Sequence, residues 1–145
     1  MKYEKILVPT DGSEFGKMAL QRALNVAKYI GSEIIVLSVA EVNVSRGFRY
    51  RSAAKELTVA LVREAESIIE ETKEFTKDED VDIQFMVEKG NPASIILDTV
   101  DELSIDLLII GSSGKSGVNK FVMGSVAEKV VSYANCDVLV IHKEK

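Results

Sequence analysis

Cysteine and histidine are nearly missing from this chain: Cys136 and His142 are the only ones among 145 residues. A lone thiol excludes an internal disulfide framework and any cysteine-rich zinc site. With a lone histidine, three residues from the end of the sequence, neither a Ser-His-Asp hydrolase nor a two-histidine metal centre is expected. Positive charge is also scarce, with 18 Lys and Arg against 23 Asp and Glu, a net charge of −5 and a pI near 5.0. Proteins that bind nucleic acid or anionic membranes through charge carry a basic footprint, so neither partner is expected. Long hydrophobic runs are absent too. The longest purely aliphatic run, Leu107 to Ile110, falls far short of the roughly 20 residues a bilayer requires. The opening Met1-Lys2-Tyr3-Glu4-Lys5 passes at once into Ile6-Leu7-Val8, without the apolar stretch of a signal peptide. The expectation is a cytoplasmic protein, a compartment whose reducing conditions suit a single thiol.

What is present is one domain's worth of alternating elements, spanning residues 1–145. A chain of this length buries roughly 68–70 % of its unfolded surface, enough for a core without staples. Five strand candidates are Ile6 to Val8, Ile34 to Val39, Val81 to Val87, Leu107 to Ile110 and Val138 to Ile141. Four are continuous aliphatic runs, the pattern of strands buried on both faces of a parallel sheet. The third alternates Val81, Ile83, Phe85 and Val87 with Asp82 and Gln84, which predicts a half-exposed edge. Helices fall between them. One runs from about Ser13 to Ile30 with Phe15, Ala19, Ala23, Val26, Ala27 and Ile30 as its apolar face, and Gly31 as its left-handed stop. A second, about Ser52 to Thr76, would bury Leu57, Leu61, Ala65, Ile68, Ile69 and Phe75. The third opens on Asn91-Pro92, a cap followed by proline at the first helical position, and would bury Ile96, Val100 and Leu103. The fourth begins near Gly124-Ser125 and would bury Val126, Ala127, Val130, Val131 and Ala134. The order β-α-β-α-β-α-β-α-β predicts a doubly wound α/β fold, whose ligands sit at the carboxyl ends of the strands.

The unusual residues lie where that rule directs attention. The fourth strand runs into Gly111-Ser112-Ser113-Gly114-Lys115-Ser116-Gly117-Val118-Asn119-Lys120-Phe121-Val122-Met123-Gly124-Ser125. Glycines there let amide N–H groups approach a ligand, and the following helix start adds donors and a positive dipole end. Four serine hydroxyls with Lys115 and Lys120 complete a set suited to phosphate oxygens. A plain flexible strand-to-helix loop is the competing explanation. Two standard phosphate motifs fail: a Walker loop ending in Gly114-Lys115-Ser116 would need glycine at position 109, where Ile109 stands, and Gly-x-Gly of the dinucleotide fingerprint is missing.

Gly111, Gly114, Gly124 and Ser125 do fit G-x2-G-x9-G-[S/T], the signature of the universal stress protein family. Ile6-Leu7-Val8-Pro9-Thr10-Asp11-Gly12-Ser13 resembles that family's opening strand and loop. Gly124 to Val131 with Cys136 to Ile141 resembles its closing helix and strand. The resemblance spans nearly the whole chain and weakens between about Val42 and Lys55 and along the second helix. It implies a three-layer α/β/α sandwich around a five-stranded parallel sheet in the order 3-2-1-4-5, like the adenine-nucleotide alpha hydrolases. It also implies an ATP-binding regulatory protein acting as a dimeric switch or adaptor, and not an enzyme. The alternatives are a nucleotide-independent adaptor of the same fold and a slow ATP-hydrolysing enzyme. By position, Gly111 would lie near the ribose, with Gly114, Gly124, Ser125 and Val126 donating to the phosphates. Asp11 would reach ribose hydroxyls, Pro9 and Thr10 would shape the wall, and the main chain of Val39 would read the adenine edge. The ligand would be ATP, ADP or AMP, with Mg carried by the phosphates. Ser113 stands where many relatives have histidine.

Three features are open. Asp-Gly after a strand is a common turn, so Asp11 or Ser13 could simply cap the first helix. The basic segment Arg46 to Arg51, with Lys55, reads as a solvated loop or, less simply, a lid over the triphosphate. Nine acids against two lysines between Glu64 and Asp82 read as the outer face of the second helix and its exit. The last strand has no following helix to cover its edge, and an uncovered aliphatic edge invites pairing. The family resemblance implies a homodimer through Val138 to Ile141.

Overall fold

The computed structural model describes residues 2–42, 51–113 and 123–143. In chain order the elements are β1 (Lys5–Pro9), α1 (Glu14–Ile30), β2 (Glu33–Glu41), α2 (Arg51–Thr76), β3 (Ile83–Gly90), α3 (Pro92–Glu102), β4 (Leu107–Gly111), α4 (Ser125–Tyr133) and β5 (Asp137–Ile141). The five strands form one parallel sheet in the order β3-β2-β1-β4-β5. Both the element order and the sheet order agree with the expectation.

Alternation along the buried strands divides two cores. Ile6 and Val8 of β1, Ile34 and Val36 of β2, and Leu107 and Ile109 of β4 face α1 and α2. Leu7, Ile35, Leu37, Leu108 and Ile110 face α3 and α4. Hence each central strand reads as an unbroken apolar run. β3 is a half-exposed edge strand as its alternation predicted, but it begins at Ile83 and continues to Gly90. Val81 and Asp82 stand before it, with the Asp82 carbonyl accepting from Ile34 N–H at 2.9 Å.

Local punctuation explains the helix limits. The Ser13 hydroxyl caps α1 by accepting from Gly16 N–H at 3.3 Å, and Gly31 closes it at φ +83°, its N–H donating to Ala27 O at 2.7 Å. Asn91 Oδ1 caps α3 through Ser94 N–H at 3.1 Å. The helix faces need correction at six positions. Leu20 and Leu24 join the buried face of α1, whereas Ile30 is exposed. Leu57 and Phe75 of α2 are 60 % and 53 % exposed, and Val131 of α4 lies outside the core. α2 has 26 residues, about 39 Å of helix, and overruns the nine-residue β2, about 30 Å long. Ion pairs Lys17–Glu71 at 3.3 Å and Lys28–Glu79 at 2.6 Å tie α1 to α2 and to the acidic segment that follows it. Pairs this exposed contribute little stability.

Candidate functional site

β1 and β4 are neighbours in the sheet, yet the helices after them pack on opposite faces. The chain therefore parts above their carboxyl ends, and a crevice opens at this switch point. A cleft of about 540 Å³ occupies it. That size falls within the range of small-molecule sites.

The β1–α1 turn forms one wall. Thr10 N–H donates to Leu37 O at 2.9 Å, fixing the end of β1 against β2. The Thr10 hydroxyl accepts from Gly12 N–H at 3.2 Å, and Asp11 Oδ1 accepts from Ser13 N–H at 3.0 Å. Both explanations weighed for this turn thus meet a residue: Ser13 is the helix cap, and Asp11 shapes the turn before it. A carboxylate has about four acceptor sites, so the turn bond does not exhaust Asp11.

The opposite wall is the start of α4. Gly124 N–H donates to Ser112 O at 2.7 Å, which hangs the helix start from the end of β4. Gly124 occupies the cap position in extended conformation, and among the described residues no side chain caps the helix. The next three residues, Ser125, Val126 and Ala127, hold the first-turn N–H positions and all line the cleft. Such a turn offers donors and a positive dipole end to an anion.

Of the expected site residues, Pro9, Thr10, Asp11, Val39, Gly111, Gly124, Ser125 and Val126 all line this one cleft. Gly114 lies outside the described residues, as do Lys115, Ser116, Lys120 and the basic segment through Tyr50. Gly111 has a structural reason for lacking a side chain: a Cβ there would sit 2.7 Å from Phe15 Cβ and 2.9 Å from Phe15 O. Four residues of α2, Leu61, Glu64, Ala65 and Ile68, also line the cleft, with Ala40, Glu41, Pro92 and Ile96, and no sequence signal placed them there. Leu61, Ala65 and Ile68 were legible as an apolar face, but helical periodicity does not tell a core from a cleft wall. Among the described residues no group of three or more His, Cys, Asp or Glu is placed to hold a metal. Among them, too, no helix is long and apolar enough to cross a membrane.

The geometry has counterparts in known proteins. The family model described as universal stress protein family matches residues 2–142. A universal stress protein of Methanocaldococcus jannaschii is 32 % identical over 143 residues, covering 99 % of this chain and 84 % of that protein. The solved structure of the universal stress protein UspA from Lactobacillus plantarum superposes with a TM-score of 0.89 at 25 % identity, covering 98 % of this chain and 99 % of that one. A universal stress protein solved in complex with cAMP superposes with a TM-score of 0.66 at 25 % identity, covering 99 % and 100 %.

Proposed function

The chain belongs to the universal stress protein family, and from that premise we propose that residues 1–145 form an adenine-nucleotide-binding regulatory domain. One observation carries the reading: the eight described residues expected to contact a nucleotide converge on a single cleft of nucleotide size. The complex of a relative with cAMP supports an adenine nucleotide as the ligand class.

The residues present fit such a ligand. Pro9, Val39 and Ala40 offer apolar surface beside the main chain at the end of β2, suited to a purine and its hydrogen-bonding edge. Asp11 accepts from ribose hydroxyls, while Ser125, Val126 and Ala127 present first-turn amides to phosphate oxygens. Gly124 lines the cleft beside those residues. ATP, ADP and AMP share this chemistry and differ in how many phosphates extend beyond the first-turn amides. Magnesium enters with the phosphates, which it prefers to a cage of protein ligands. The protein acts as a switch or adaptor whose partners read the bound nucleotide, and it acts as a homodimer joined through Val138 to Ile141.

Thermal unfolding with and without Mg-ATP tests the nucleotide. At about 100-fold over Kd, binding adds roughly 2.7 kcal/mol, which raises Tm by about 5–10 °C at this chain length. No shift at millimolar ATP, ADP or AMP refutes the reading. Gly124→Leu fills the cleft at a position whose φ of −60° any residue adopts, so it removes the shift and leaves the unliganded fold intact. Sedimentation equilibrium tests the dimer, which requires about twice 15.9 kDa.

A further inference from the structure

A second recess, of about 440 Å³, opens beside the cleft and shares Glu41, Pro92, Ser125 and Val126 with it. It lies between the start of α3 and one face of α4. The nucleotide assigned above leaves it unused. Asn91, Pro92 and Ala93 form the α3 side, where Asn91 Oδ1 accepts from Ser94 N–H and proline brings no N–H of its own.

The α4 side is ordered along the helix. Ser125 stands at its first turn, Glu128 and Lys129 one turn on, and Ser132 with Tyr133 at its end. Residues spaced by three and four share a helix face, and eight residues span about 12 Å. Starting from the amides assigned to phosphate, a ligand running down this face meets the turn that carries both Glu128 and Lys129 and then an aromatic ring. The Glu128 carboxylate lies beside that path, and the ring of Tyr133 is 68 % exposed. First-turn amides, a turn carrying both a cation and a hydroxyl acceptor, and a stacking ring beyond it match the phosphates, ribose and base of a nucleotide whose terminal phosphate carries a second nucleoside.

Resting on the nucleotide reading above, the geometry points to dinucleoside polyphosphates as a ligand class of this protein, with the second nucleoside seated in the α3–α4 recess. Lys129 pairs with the bridging phosphates, Glu128 accepts from the second ribose, and Tyr133 stacks on the second base. Stacking of one base on an aromatic side chain is enough to raise affinity by about tenfold or more.

Calorimetric titration of the full chain compares diadenosine tetraphosphate, adenosine 5′-tetraphosphate and ATP, each with magnesium. The diadenosine compound binds about tenfold or more tightly than adenosine tetraphosphate, which has the same phosphate chain without the second nucleoside. Tyr133→Ala, at an exposed helix end, abolishes that gain while ATP affinity holds, and Glu128→Gln reduces it. Equal affinities for the two tetraphosphates overturn the proposal and leave the nucleotide reading standing. A gain that survives both substitutions also overturns it. Absence of binding by all three ligands refutes the nucleotide reading itself, and the recess assignment falls with it.

Discussion

Replacing Gly111 by alanine isolates what this glycine does for the fold. A Cβ at position 111 would meet Phe15 Cβ at 2.7 Å, Phe15 O at 2.9 Å and Phe15 C at 3.0 Å. Two of these three atoms are backbone in the first turn of α1, so rotation of the Phe15 side chain brings no relief. The end of β4 and the start of α1 must separate by several tenths of an ångström, against well-packed strands on either side. Overpacking of this kind costs about 1–3 kcal/mol, and a clash with backbone belongs near 3. Restricting the unfolded chain returns about 0.4–1 kcal/mol, which leaves a net loss of roughly 2–2.5 kcal/mol. For a chain of this length Tm falls by about 4–10 °C. The assay is urea and thermal unfolding of ligand-free protein, followed by circular dichroism. Gly16→Ala is the internal comparison: its new Cβ would lie 2.6 Å from Thr10 Oγ1, a side-chain atom that can turn aside at the cost of its bond from Gly12 N–H. It destabilises less. If Gly111→Ala unfolds within about 0.5 kcal/mol of the parent, the close apposition of β4 and α1 does not constrain this position, and the account of Gly111 is wrong.

Three further outcomes follow from local chemistry. Ser104 holds φ +53° just after α3, a left-handed conformation that side chains disfavour, so Ser104→Gly raises stability by about 0.5–1 kcal/mol in urea melts. Ser13→Ala removes the acceptor for Gly16 N–H and lowers stability by about 1 kcal/mol by the same measurement. Burial, followed by the neighbouring Asp137 charge, pushes the Cys136 thiol above its ordinary value of 9.0. Iodoacetamide therefore alkylates it more slowly in the folded protein than in urea at pH 8, because less of it is thiolate. The sign of the linkage is also set: the folded state holds this proton more tightly, so its contribution to stability declines as pH rises past 9. Equal alkylation rates in folded and unfolded protein would show that burial does not raise this thiol.

The strands were legible because parallel pairing buries both faces, which turns Ile34 to Leu37 or Leu107 to Ile110 into unbroken apolar runs. Ser13, Gly31 and Asn91 marked helix ends for the same kind of reason: each acts within a few residues of itself. Leu57 and Phe75 misled because the apolar period of α2 continues past the sheet it packs on, and only the lengths of both elements together reveal that. The Gly111 to Ser125 segment pointed to the site through its composition. The α2 wall did not, since Leu61, Ala65 and Ile68 carry the same periodic signal whether they face side chains or open space. The packing role of Gly111 depends on Phe15, 96 positions away in the chain, and no local pattern encodes such an approach.

A crevice above β1 and β4 is a consequence of topology, and its presence alone says little about ligands. Any sheet in this order, with α1 and α2 on one face and α3 and α4 on the other, parts at the same place. Gly16 and Gly111 also belong to the scaffold, because close packing of α1 against the ends of β1 and β4 explains them without a ligand. What topology does not dictate is the start of α4. Helices α1 and α3 are closed by Ser13 and Asn91, whose side chains take up a first-turn N–H. At α4 the cap is Gly124, held by its own N–H to Ser112 O, and among the described residues no side chain serves its first turn. A fold that caps its other described helix starts with side chains, and leaves this one for the cleft, has given up roughly a few tenths of a kcal/mol of capping stability there, the difference between glycine and serine at a cap. Anion binding at those amides is the compensation that the cleft can supply. Gly124→Ser therefore separates the two roles: it restores a cap, raising the stability of the unliganded protein, while its hydroxyl competes with phosphate and shrinks the stabilisation by Mg-ATP. A variant that gains stability without losing any of that ligand shift would place the phosphates elsewhere in the cleft.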